Sequence, residues 1–107
     1  MSRLVYVPVL RVSLPLKDGA YMEAVHQLPC SVTGLPGVEA HHPRGHQWGT
    51  GMGQKAPDAT AIPLCTRIHD EYHRIGVKSW EAKYGPHEQH LRKTWRKLGL
   101  PEPGVDQ

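Results

Sequence analysis

Val38-Glu39-Ala40-His41-His42, a glycine-rich passage from Pro43 to Pro57, Thr60-Ala61-Ile62-Pro63-Leu64 and then Cys65-Thr66-Arg67-Ile68-His69-Asp70-Glu71-Tyr72-His73 form the stretch on which the reading of this chain turns. Val38 to His42 predicts a short strand and Thr60 to Leu64 a second one. Gly45, Gly49, Gly51 and Gly53 preclude regular structure in the passage between them. From Thr66 the chain turns helical until Gly76. The order is therefore strand, loop, strand, helix, with imidazoles at the end of the first strand and on the helix. Neighbouring strand residues point to opposite sides, so His41 and His42 are set for different tasks, one toward a metal and one toward a substrate. His69 and His73 are four apart, which stacks them on one helix face within reach of a single ion. Cys65 precedes that helix and Cys30 precedes the His-bearing strand. Taken singly, a histidine pair is usually solvated, a His-His dipeptide means little and two cysteines are usually just buried. Their order tips the balance toward a metal-centred site.

Outward from this stretch the signals are simpler. Residues 3–16 are rich in β-branched side chains but carry Pro8 and Pro15, which predicts edge strands or an extended arm over residues 1–17. Asp18 is a plausible N-cap for a helix from Gly19 to Leu28, with Tyr21, Val25 and Leu28 on one stripe and Pro29 ending it. Cys30 to Gly37 reads as a tight turn. Ser79 to Tyr84 suggests a short helical turn before Gly85-Pro86, and His87 to Leu98 a final helix stopped by Gly99, with Leu91, Trp95 and Leu98 on one face. The body of the domain is then 18–99, followed by a tail, 100–107, expected to be disordered.

At 107 residues the chain is the size of one domain, and a chain this short buries only about 65% of its unfolded surface. With 11 Gly, 10 Pro and no Phe, a large aromatic core, a long coiled coil and a repeat solenoid are excluded. No apolar run approaches the ~20 residues of a membrane span, and the opening Met1 to Pro8 lacks a signal peptide's apolar segment, so a soluble, cytoplasmic protein is expected. In that setting a structural disulfide is not expected, and Cys30 and Cys65 are either buried thiols or metal ligands. The net charge of +3 is concentrated between His87 and Lys97, where Arg92, Lys93, Arg96 and Lys97 face a single carboxylate, Glu88. A localised basic face suits a polyanion, although a solvated basic helix has the same composition.

The motifs resemble those of HNH endonucleases of the ββα-metal fold, and most nearly the phage Ref-type recombination-enhancement nucleases and related prophage proteins. The matching text is Tyr21-Met22-Glu23, Leu28-Pro29-Cys30, Val38 to His42, Gly51-Met52-Gly53-Gln54-Lys55-Ala56-Pro57-Asp58, Ile62-Pro63-Leu64-Cys65 and His69 to His73, spanning residues 20–76. The resemblance implies an α+β fold: a small ββα-metal (HNH) core with flanking helices and an extended N-terminal arm. It implies a metal-dependent DNA endonuclease or nickase, phage-encoded and acting in the bacterial host cytoplasm. His42 is then the general base, Asp58 orients it, and His41, His69 and His73 hold one divalent ion (Mg²⁺, Mn²⁺, Ni²⁺ or Zn²⁺). Products carrying a 5′ phosphate and a 3′ hydroxyl are expected.

The chain departs from the pattern at Cys30, where relatives carry Cys-x2-Cys and this sequence continues Ser31-Val32-Thr33. A four-cysteine structural zinc site is excluded. Cys30 and Cys65 either share a second, structural zinc with His26 or His73, or simply pack together. In the loop, Arg44 and Lys55 are expected to contact phosphates, and Trp48 either stacks on a base or covers the core. Arg92, Lys93, Arg96 and Lys97 are expected to supply nonspecific, salt-dependent affinity for DNA. Recruitment by a recombinase filament and the choice between monomer and homodimer stay open, and no membrane partner is implied. The alternative to an enzyme is a noncatalytic zinc-stabilised nucleic-acid-binding module.

Overall fold

The structure, a computed structural model, describes residues 3–51 and 53–101. The expected disorder of the tail from residue 102 onward, like Met52 in the loop motif and the first two residues of the arm, lies outside the described residues. In chain order the described elements are β1 (Leu4–Val7), β2 (Val12–Pro15), α1 (Gly19–His26), β3 (Val38–His41), two 3-10 turns (His46–Trp48 and Asp58–Thr60), β4 (Ile62–Cys65), α2 (Thr66–Ile75), α3 (Val77–Tyr84) and α4 (His87–Lys97). They make a small α+β fold in which β1 pairs antiparallel with β2, and β3 antiparallel with β4.

Residues 3–16 form a hairpin of two edge strands, so of the two alternatives for this segment the strands stand and the extended arm is corrected. Alternation along β1 turns Val5 and Val7 inward while Leu4 and Tyr6 stay exposed, and Leu10 from the connection is fully buried. The prolines do not obstruct pairing because Pro8 lies in the connection and Pro15 ends β2. Arg11 takes the left-handed conformation (φ 56°) that closes the turn. The hairpin is tied to the body by Val9 N–H donating to the Gln47 carbonyl (2.9 Å) and Asp58 N–H donating to the Leu16 carbonyl (3.0 Å).

Asp18 caps α1, its carboxylate accepting the Tyr21 N–H at 3.1 Å. The strand β4 is buried along its whole length and pairs with β3 in a register that sets His41 opposite Ile62 and Val38 opposite Cys65. Thr60 belongs to the 3-10 turn before β4, its hydroxyl donating to the Pro57 carbonyl at 2.6 Å. The expected turn at Ser79–Tyr84 is a full helix starting at Val77. The buried face of α4 holds His87, His90, Leu91, Thr94 and Trp95, so two histidines complete the stripe expected from Leu91 and Trp95. The core is small and mixed: Trp80, Ile62, Leu64, Ile68, Leu91, Val7, Leu10 and Val25 are fully buried around β4.

Candidate metal and base site

The hairpin of β3 and β4 leads straight into α2, and this places the two histidine pairs on one pocket of about 570 Å³. His41, His42, His69 and His73 line it, together with Arg44 and Lys55 from the glycine-rich loop.

His41, the last residue of β3, is buried, and its Nε2 has no hydrogen-bond partner. An orphaned buried nitrogen is costly unless something fills its lone pair. Burial, reinforced by the nearby imidazoles of His87, His69, His73 and His42, pushes its pKa down to about 2, so it is neutral at any physiological pH. A neutral, unpartnered imidazole is the form that ligates a metal. The His41 ring lies 4.9 Å from that of His69 and 6.4 Å from that of His73, and His69 lies 5.0 Å from His73, centroid to centroid. Three imidazoles around one tetrahedral ion at ~2.1 Å have centroids roughly 5 Å apart. Two of the three spacings match and the third is wider. Accordingly, as the side chains stand, no group of three or more His, Cys, Asp or Glu among the described residues is set to hold a metal ion. In donor type and spacing His41 and His69 fit a divalent ion, and exposed His73 must swing inward to join them.

His42 lies just beyond β3. Its Nε2 is 2.9 Å from Asp58 Oδ1, and because a carboxylate only accepts, this nitrogen carries the proton and Nδ1 keeps its lone pair. Asp58 is held in turn by the Asp18 backbone N–H on Oδ2 at 2.9 Å. Burial raises the Asp58 pKa, but the hydrogen bonds from Asp18 and His42 and the charge of Lys55 outweigh it, and the balance is downward. Two groups escaped the sequence reading. Glu39, two residues before His41 on the same strand, accepts from His69 Nδ1 at 2.7 Å, a contact that only the packing of β3 against α2 reveals. His87 is buried behind the site, with Nε2 donating to the Thr60 carbonyl at 2.7 Å and its ring 5.7 Å from that of His41.

The remaining expected residues distribute differently. Trp48 is buried with its ring 4.9 Å from that of His87, so it covers the core and does not present a face for base stacking. On α4, Arg92 pairs with Glu88 (2.7 Å) and Lys93 donates to the Ser31 carbonyl (2.6 Å), which engages both within the fold, while Arg96 and Lys97 are exposed. Cys30 and Cys65 are free, buried thiols meeting at Thr33, whose N–H reaches Cys30 Sγ (3.4 Å) and whose hydroxyl reaches Cys65 Sγ (3.7 Å). Burial opposes ionisation of Cys30, but hydrogen bonds from Thr33, Cys65 and Val32 prevail and lower its pKa. Neither histidine named as a partner joins them: His26 is bonded to the Met22 carbonyl (2.7 Å), and His73 faces the pocket. Among the described residues no helix is long and apolar enough to cross a membrane.

The chain is 43% identical over 65 residues to the uncharacterized protein YdfU of Escherichia coli (strain K12), a match covering 61% of this chain and 18% of that protein. The chain thus corresponds to less than a fifth of that relative's length. No solved structure matches significantly. Residues 14–99 match a family described as a protein of unknown function (DUF968). This corrects the assignment to HNH endonucleases, since DUF968 is a distinct family and neither match brings HNH evidence; short motifs of His, Cys and Gly recur wherever loops and helix faces present imidazoles. The chain belongs to the DUF968 family.

Proposed function

We propose that this domain is a divalent-metal-dependent phosphodiesterase acting on DNA, with β3, β4 and α2 as its metal-binding unit. The observation that carries the proposal is the His42–Asp58 pair opening onto the same pocket as His41, His69 and His73. His42 Nδ1 is the free acceptor of an imidazole whose other nitrogen is fixed by a carboxylate, which is the arrangement of a general base. It takes a proton from water as the water oxygen bonds to phosphorus and the bond to the leaving alkoxide breaks. Asp58 keeps the imidazole in the required tautomer and stabilises the imidazolium that forms. Arg44 and Lys55 hold the phosphates flanking the one under attack, and the glycines of the loop let the backbone come close. His41, His69 and His73 are the residues that would hold a divalent ion here, and such an ion would supply neutralisation of charge on the phosphate and the leaving oxygen.

Nicking of supercoiled plasmid with Mg²⁺, Mn²⁺, Ni²⁺ or Zn²⁺ tests the reading. The wild type is expected to nick with at least one ion and His42→Ala to be slower by about 10²–10⁴-fold. Equal rates for the two proteins, or no nicking with any ion, overturn it. A plasmid bound but uncut supports the noncatalytic binding module instead.

A further inference from the structure

His42 and His69 each share a hydrogen bond with a carboxylate, but through opposite nitrogens. Asp58 takes Nε2 of His42, whereas Glu39 takes Nδ1 of His69 at 2.7 Å. The tautomers are therefore opposite: His42 leaves Nδ1 free and His69 leaves Nε2 free. On a helix, Nε2 is the far end of the imidazole. His69 projects from α2 into the pocket, with its ring 4.9 Å from that of His41 and 5.0 Å from that of His73. Glu39 sits in β3, two positions before His41, so one strand supplies both a ligand-type imidazole and the carboxylate that orients a second one across the sheet-to-helix step.

We infer that Glu39 is a positioning residue that fixes His69 as the Nδ1–H tautomer and thereby presents its Nε2 to a divalent cation of the borderline class (Zn²⁺, Co²⁺ or Ni²⁺). The inference rests on the metal-dependent reading above, but it concerns ion binding and not DNA cleavage. Glu39 is half exposed, its side chain retaining 50% of its accessible surface, so its contribution as a bare ion pair is small. Its effect lies in orientation and tautomer choice, the role carboxylates play behind metal-bound histidines. Removing such a partner typically weakens binding by roughly 10–100-fold.

The experiment uses the full chain and Co²⁺ alone, read by ligand-field absorption, together with ¹⁵N imidazole spectra of the metal-free protein. In the metal-free wild type His69 is expected as the Nδ1–H tautomer. Glu39→Ala is expected to lose that bias and to bind Co²⁺ roughly 10–100-fold more weakly. Glu39→Gln keeps an acceptor oxygen, so it restores the tautomer and recovers part of the affinity. A wild-type His69 in the Nε2–H form overturns the inference, as does Glu39→Ala with unchanged affinity and tautomer. Wild-type protein that binds no Co²⁺ overturns it together with the metal-dependent reading. Co²⁺ bound with the expected Glu39 dependence but plasmid left uncut removes only the nuclease reading.

Discussion

Asp58 is gripped from two sides, by His42 Nε2 on one oxygen and the Asp18 N–H on the other, each at 2.9 Å. That makes Asp58→Asn an informative change. The amide keeps an acceptor for one partner and roughly the same volume, so the melting temperature is expected to stay within a few degrees of wild type. The charge that supports the imidazolium is lost, so the plasmid-nicking rate is expected to fall by about 10²-fold or more, within the range of general-base contributions. Unchanged nicking would remove Asp58 from the site's chemistry. At this scale the strand-end and helical spacings in the sequence pointed to His41, His42, His69 and His73, which line one pocket, whereas Asp58 was named only through the resemblance to HNH endonucleases. The sequence was silent on Glu39 and His87, since an exposed strand carboxylate and a histidine on a helix carry no signal until the strand and helix are packed. Trp48 was ambiguous from sequence because a loop tryptophan suits either a base or the core, and the hairpin and α4 close over it.

Among the elements, the N-terminal hairpin was the least legible. Two prolines in a β-branched run argue against a central strand, but they do not show that the strands pair with each other and dock on the body. Leu10 is fully buried there, so Leu10→Ala is expected to cost about 2–5 kcal/mol in urea unfolding. Leu4→Ala, at an exposed position on the same hairpin, is expected to change stability by less than about 0.5 kcal/mol. Equal effects would mean that the hairpin does not pack. The histidines of α4 give a pH-dependent prediction. His90 Nε2 donates to the Tyr84 carbonyl at 2.8 Å, so its Nδ1 accepts from the Ser31 hydroxyl at 2.6 Å. The neutral ring is fully satisfied. Burial lowers the His90 pKa, with Lys93 adding to the shift and the Tyr84 carbonyl and Glu81 opposing it. Below the ordinary imidazole value of about 6.5 the unfolded chain binds a proton that the folded chain refuses, so this contribution is complete above that pH and is lost as pH falls toward the depressed value. Melting between pH 7 and pH 5 is expected to fall more steeply for wild type than for His90→Gln. Parallel slopes would contradict this.

Over the whole molecule, the concentration of basic residues near the C-terminus was plain in the sequence, but not how many of them face outward. Arg92 and Lys93 are half-buried, against Glu88 and the Ser31 carbonyl, and Arg96 and Lys97 are the exposed basic residues of α4. If each of these contacts one phosphate, the Arg96→Ala/Lys97→Ala double variant lowers the slope of log affinity for duplex DNA against log salt by roughly 2 units. An unchanged slope would place the DNA elsewhere, along Arg44 and Lys55. The central claim is that His41, His69 and His73 close around one ion beside His42. Anomalous diffraction from crystals grown with Zn²⁺ tests it most directly. The expected result is a single strong peak within about 2.0–2.3 Å of His41, His69 and His73 nitrogens, with the His42 imidazole nearby but not coordinating. A map with no peak in this pocket, or with His42 as a ligand, would contradict it.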